Sequence, residues 1–401
     1  MFVTILDALP DRTGLDRLWH LLPQARLVGG SVRDLLRGVA VNDLDLATPE
    51  PPEIVQKILQ DADIKVVPTG LSHGTLTAVI DRRPYEVTTL RRDDRTDGRR
   101  AVVSWTQDWR EDASRRDFTI NAMSCDSQGQ IHDFFGGQED LHAHRVRFVG
   151  DPARRITEDA LRILRFFRFD ARFGTETPDL EAMTAIRSKA ALVETLSAER
   201  VASELLRILI GPRLLQNLAH MREADILSRL LPQAHEHRLA RLLACQAPHD
   251  ALLRLGALSD EENLAQRLRL SNKQAERLAS MRIPMPELLP AAPDDDLRRA
   301  RADLPLESLL DRTWLRQADK LGAPDPSWNA LRNRLEKLPR PVFPLAGRDA
   351  LQCGAPPGPQ IGAALKQVQG WWRAEGCRPD RNACLARLKQ ALGLSPNDAE
   401  R

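Results

Sequence analysis

At 401 residues the chain is long enough for two or more domains with substantial cores, and its 42% apolar content suits a globular protein in water. No run of about 18 apolar residues offers a membrane span. One tyrosine and ten phenylalanines argue against an aromatic base-stacking platform; the net charge of +2 announces no nucleic-acid partner, though 28% charged residues leave room for local basic faces.

The first informative stretch is Leu27-Val28-Gly29-Gly30-Ser31-Val32-Arg33-Asp34, followed by Asn42-Asp43-Leu44-Asp45-Leu46. It reads as strand, Gly-rich turn, short helix, strand. On a strand, residues i and i+2 share a face, so Asp43 and Asp45 aim together. Adjacent carboxylates repel unless a cation lies between them, and hard oxygen ligands favour Mg²⁺. Gly29 and Gly30 allow backbone amides close to a phosphate, and the helix start adds its positive dipole end. Either feature alone is common; a lone D-x-D is usually a solvated turn. In this order and spacing they suggest nucleotidyl transfer.

Leu76–Ile80 and Tyr85–Leu90 are short β-rich runs separated by the turn signal Asp81-Arg82-Arg83-Pro84, a hairpin pattern. Glu86 lies in the second run, either as a third carboxylate beside the metal site or as half of a cross-strand ion pair. Residues 91–112 are too polar to bury and read as a mobile loop or a solvated β-excursion. Arg115-Arg116-Asp117 then opens a helical pattern. Two guanidiniums there can fork onto triphosphate or ribose oxygens, with Asp117 orienting one of them or meeting a ribose hydroxyl.

From Asp151 onward the pattern is helical almost throughout. In Glu158-Asp159-Ala160-Leu161-Arg162, Asp159 and Arg162 are i,i+3 neighbours of one helix, with Arg165 and Arg168 continuing the ridge. Three arginines share one acid, leaving charge for an anion. An aspartate accepting from an exocyclic amine and an arginine donating to a ring nitrogen suit cytosine and adenine; uracil and guanine show the opposite polarity. Ser197-Ala198-Glu199-Arg200 reads as a helix start. Pro-rich joints occur at Ile283–Pro293 and Leu338–Pro344. His249-Asp250 is isolated, with no further spaced ligands for a phosphohydrolase metal. Cys125, Cys245, Cys353, Cys377 and Cys384 form no C-x-x-C and no signal peptide precedes them, so free thiols and a cytoplasmic location are expected.

The string G-G-x-V-R-D-x-L-x-G followed by D-x-D, the run Arg115–Met123 and the E-D-x-x-R segment together resemble class II tRNA nucleotidyltransferases and bacterial poly(A) polymerases. The resemblance implies an α+β fold: a nucleotidyltransferase head with a small mixed β-sheet and flanking helices (residues 1–145), then an all-α neck (146–210), body (211–340) and tRNA-binding tail (341–401). It implies Asp43 and Asp45 as metal ligands and Glu86 as the third acid. It implies Gly29, Gly30, Arg33, Arg115, Arg116 and Asp117 at the nucleotide. Asp159 and Arg162 would read the base, and Arg165 and Arg168 would serve the nucleotide or the neck. Thr96-Asp97-Gly98-Arg99-Arg100 is similar to a loop that helps switch nucleotide preference, although a tyrosine often seen there is missing. The activity implied is CCA addition from CTP and ATP with Mg²⁺ and tRNA, with no membrane and no protein partner evident. Poly(A) synthesis, CC-only or A-only addition, an inactive RNA-binding module and a small-molecule nucleotidyltransferase are the alternatives.

Overall fold

A computed structural model of the chain describes residues 4–41, 43–96 and 101–394, which divide into two compact units, Met1–Ala234 and His235–Arg401. The first unit holds a mixed seven-stranded sheet in the order β3-β4-β5-β2-β1-β8-β9. These strands are β1 (Arg26–Val28), β2 (Asp45–Thr48), β3 (Lys65–Gly70), β4 (Thr75–Ile80), β5 (Arg83–Thr89), β8 (Ser124–Cys125) and β9 (Ile131–His132). Leu27, Leu46, Leu76, Tyr85 and Val87 bury one face of it against Leu15, Leu18, Val32, Leu35 and Leu59 of the flanking helices. A patterned apolar face of this size is what makes such short strands stable together.

The expected strand, turn, helix, strand order holds. β1 leads into Gly29, whose φ of 68° suits glycine, and then into the helix Gly30–Leu36. The hairpin of β4 and β5 also forms, on a tighter turn than the sequence suggests. Asp81 and Arg82, both at positive φ (49° and 65°), make a two-residue connection that matches the strand twist. Arg83 and Pro84 therefore belong to β5. Pro84 is tolerated because β2 pairs only with residues 86–89, so its missing N–H costs no ladder bond on that side.

Of the two readings of residues 91–112, the β-excursion is the one that matches the described secondary structure. β6 (Arg91–Thr96) pairs antiparallel with β7 (Ala101–Trp105), and the helix Trp109–Ser114 follows, its first turn capped by the Asp108 carboxylate. The hairpin pairs its backbone groups within itself, and its start is anchored where the Arg91 N–H donates to Asp112. Asp97-Gly98-Arg99-Arg100 lies outside the described residues.

Beyond the sheet the unit is helical. Phe118, Phe148 and Phe166 pack ring on ring (centroids 5.1, 5.8 and 6.3 Å apart) and fasten the helix Leu161–Phe173 to the segment that follows Arg116. Asp170 of that helix is buried, which pushes its carboxyl up to about 6 despite Arg213; Asp179 adds to the rise. Unfolded, the same carboxyl titrates near 3.9, so between about pH 4 and 6 the folded chain holds the extra proton and stability falls as pH rises. Asp170→Asn is therefore expected to raise stability at pH 7.5 by about 2 kcal/mol. Urea unfolding at pH 4 and 7.5 checks it, since the gain should vanish at the lower pH.

The second unit is helical throughout its described residues. One core gathers Leu297, Leu309, Trp328, Leu331 and Leu335, and another, after the second proline joint, gathers Leu345, Val368, Trp372 and Leu388. Among the described residues no group of three or more His, Cys, Asp or Glu that could hold a metal ion includes His249. Its neighbour Asp250 caps the helix Ala251–Leu258 and pairs with Arg277 at 2.9 Å. All five cysteines are free thiols. No helix of the described residues is long and apolar enough to cross a membrane.

Candidate active site

The acids come together through sheet register. β2 and β5 run parallel with Asp45 opposite Glu86. Asp43 sits two residues before β2 begins, so only Asp45 is on the strand, where the sequence suggests both. What holds Asp43 is Ser31. Its hydroxyl donates to the Asp43 carbonyl (3.0 Å) and accepts from the Asp45 N–H (3.3 Å), tying the acid segment to the helix after the Gly-Gly turn. Burial first, then the facing Glu86 carboxylate, push Asp45 up to about 6; Arg116 opposes this and Asp43 adds to it. Asp43 and Glu86 are exposed.

Asp43, Asp45 and Glu86 offer a divalent ion carboxylate oxygens and nothing softer. Among the described residues no three His, Cys, Asp or Glu side chains form a ready-made cage. The chemistry of the set nevertheless fits. All the donors are hard carboxylate oxygens, and their mutual repulsion at a half-buried position is what a divalent cation would relieve.

The glycine pair works differently from the simplest reading. The Gly29 N–H is already given to the Met123 carbonyl (3.2 Å), so the first-turn amides of the helix Gly30–Leu36 are left for an anion. The glycine is needed for room: a Cβ on Gly29 would lie 2.8 Å from Nη1 of Arg116. That guanidinium therefore rests on the turn and acts on Asp45.

Arg115 and Arg116 end a helix, contrary to the expectation that they begin one. Both reach back to the buried Asp112, at 2.8 and 3.3 Å, and Asp112 also accepts from the Arg91 N–H where β6 starts. The pair at Asp112 holds its carboxyl below the usual range against a strong burial effect. Asp117 orients neither of them. It accepts from Phe118 N–H and Asn121 Nδ2 and pairs with Arg165 at 2.6 Å. Asn121 links the parts, since its Oδ1 accepts from Arg33 Nη1 (2.5 Å). Arg33 is itself buried, forked onto Asp34 and stacked on Phe173 (4.3 Å to the centroid), so it braces the turn from within.

The E-D-x-x-R segment holds the largest correction. One continuous helix was expected; the chain forms two, Pro152–Glu158 and Leu161–Phe173, with Asp159 extended at the break (φ −154°, ψ 103°). Asp159 and Arg162 do not pair. Asp159 takes the Leu161 N–H on one oxygen and Arg200 Nη2 on the other (2.7 Å). Arg162 is bound to Glu158 (2.8 Å) and donates to the carbonyls of Arg155 (2.8 Å) and Arg115 (3.1 Å). Arg165 and Arg168 also turn out to face acids, although Glu158 and Glu204 are each shared by three arginines. Arg165 meets Asp117, and Arg168 meets the buried Glu204 at 3.0 Å.

The two clusters nonetheless share one neighbourhood. Arg162 and Arg155 hold the carbonyls of Arg115 and Arg116, and Arg116 touches the glycine turn beside Asp45. Sequence reasoning missed Ser31, Asp112, Asn121 and Arg200 as parts of this arrangement. Asn121 stands within the recognised run Arg115–Met123 and Ser31 within the stretch Leu27–Asp34, signals that could have found them; Asp112 carries no local signal.

Residues 25–147 match the family model of the poly A polymerase head domain, and residues 177–238 match that of a probable RNA- and SrmB-binding site of polymerase A. The CCA tRNA nucleotidyltransferase 1, mitochondrial, of Danio rerio is 33% identical over 392 residues, covering 92% of this chain and 88% of its own. The CCA-adding enzyme of Geobacillus stearothermophilus is 34% identical over 372 residues, with 87% and 88% covered. A crystal structure of the Bacillus stearothermophilus CCA-adding enzyme in complex with CTP superposes with a TM-score of 0.72 at 28% identity, covering 95% of this chain and 98% of that one.

Proposed function

The chain belongs to the CCA tRNA nucleotidyltransferase family, and from that premise we propose how its own residues carry out the reaction. The enzyme adds CMP and AMP from CTP and ATP to the 3′ end of tRNA and releases pyrophosphate. Asp43 and Asp45 would hold Mg²⁺, with Glu86 as the third acid. A divalent ion held there would supply Lewis-acid chemistry to the attacking 3′ hydroxyl and the leaving group. Arg116 and the first-turn amides of Gly30–Leu36 receive the triphosphate. Arg115, Asp117 and Arg33 position this set. Catalysis is then mostly alignment and electrostatics.

Asp159 and Arg162 choose the base. In the free chain each already has a partner of opposite charge, Arg200 and Glu158, which fixes where the acceptor and the donor point. A carboxylate oxygen holding one arginine still has a lone pair for an exocyclic amine. Arg165 and Arg168, each paired with an acid, keep the neck helix in register. The proposed division remains head 1–145, neck 146–210, body 211–340 and tail 341–401, in the cytoplasm.

The observation that carries this reading is the parallel register that sets Glu86 against Asp45 beside Arg116. The test is product sequencing. tRNA ending at its discriminator base, incubated with CTP and ATP separately and together, should gain three nucleotides ending in A only with both. Long A tails, arrest at CC, or binding without transfer would overturn it.

A further inference from the structure

The proline-rich joint Ile283–Pro293 takes no part in the chemistry above. Its first residues border a cavity of about 260 Å³ within the second unit, beside the helix Leu306–Lys320. Four guanidiniums line it, Arg238, Arg282, Arg312 and Arg316, against two carboxylates, Glu287 and Asp319. Arg238 is forked onto Asp319 (2.9 and 3.1 Å) and also holds Asp260 (2.8 Å), and Arg316 is bound to Glu287. The other two arginines make no ion pair among the described residues. Arg282 donates to the carbonyls of Ser259 (2.6 Å) and Glu261, and Arg312 to those of Ser280 (3.0 Å) and Ile283 (2.8 Å).

Carbonyls orient a guanidinium without neutralising it. Burial pulls Arg312 below its ordinary range with no acid opposing the shift; it pulls Arg282 the same way, but there Asp260, Glu261 and Glu262 oppose it. Nε of Arg282 and of Arg316 are buried without a hydrogen-bond partner. Met281, Met285 and Leu315 supply apolar lining, which strengthens any ion pair formed there relative to one in open water. Arg312 is therefore the lining guanidinium that no acid among the described residues pairs with or opposes. Of the cavity's arginines only Arg238 falls within the matched RNA-binding segment, 177–238.

We propose that this cavity seats a phosphate of the tRNA backbone, held mainly by Arg312; this rests on the reading of the chain as a tRNA-binding enzyme. Arg312 spends only Nη1 on its two carbonyls. Its remaining nitrogens offer the forked donor geometry that matches phosphate oxygens.

The test compares the full-length parent with Arg312→Gln and Arg312→Lys. Each is titrated with tRNA from 50 to 300 mM salt, at about that range because phosphate contacts are read from the salt slope. Arg312→Gln should weaken tRNA binding roughly fivefold and lower the slope of log K against log salt by about 1. Arg312→Lys should keep most of the slope, and the single-turnover rate at saturating tRNA should not change in either. Equal affinity and slope in parent and Arg312→Gln, both folded by circular dichroism, overturns the seat while leaving the enzyme reading intact. A parent that binds no tRNA overturns both. Inorganic phosphate is titrated separately by calorimetry. Binding that Arg312→Gln abolishes, with an unchanged tRNA slope, would assign the cavity to a free anion and overturn the RNA proposal.

Discussion

Asp45→Asn should lower nucleotide addition by about 10³-fold or more while tRNA affinity stays within about twofold. The reason is local. Asp45 stands where β2 meets β5, opposite Glu86, with Asp43 two residues away. Asparagine keeps the shape and the backbone bond to Ser31 but offers a neutral oxygen. A divalent ion contributes several kcal/mol of transition-state stabilisation, and each 1.4 kcal/mol lost is about tenfold in rate. Asp43→Asn should behave alike. Glu86→Gln should cost less, about tenfold to a hundredfold, because it faces the pair from the neighbouring strand. The measurement is single-turnover addition of CMP at saturating Mg²⁺ and CTP, beside tRNA binding without nucleotide. A variant that transfers at the parent's rate would remove the acid cluster from the reaction.

The second large effect concerns which nucleotide enters. Arg162→Ala or Asp159→Ala should reduce the preference for C and A over U and G by about 10²-fold or more, since a site built to pair polar groups rejects mismatches through the groups it leaves unpaired. The structure adds a sharper version. Arg200 reaches Asp159 from a helix 41 residues away, at 2.7 Å. Arg200→Met should loosen the carboxylate and cost roughly tenfold in the same ratio, and Arg200→Lys should recover much of it. Arg162 also holds two backbone carbonyls and Glu158, so Arg162→Ala should lower stability by about 1–3 kcal/mol as well. Reading selectivity as a ratio of incorporation rates separates the two effects, because a looser fold lowers all four rates together. An unchanged ratio in Arg200→Met would reduce that arginine to a fold contact.

The pairing of these arginines shows what separates a motif from a site. The D-x-x-R spacing invites one helical ion pair, and the chain instead breaks at Asp159. That break turns the carboxylate toward Arg200 and frees Arg162 to take Glu158 one turn back. In the same way Arg165 looks like spare charge in the sequence and is neutralised by Asp117, 48 residues earlier. A guanidinium on a long stem can reach any acid that folding brings near, so its partner is not encoded by spacing.

What the sequence determined by itself is local. The β-rich runs, the glycine needed at a positive φ, the helical periodicity beyond Asp151 and the kinds of acids and bases present all follow from sterics and apolar patterning within a few residues. The tertiary structure alone decided the pairing of β2 with β5 that sets Glu86 against Asp45, the seat of Arg116 on the glycine turn, and the acids that Arg165, Arg168 and Arg200 meet. Those depend on contacts between segments far apart in the chain, where burial of the whole sheet and its aromatic cluster, rather than any local preference, fixes which charges meet.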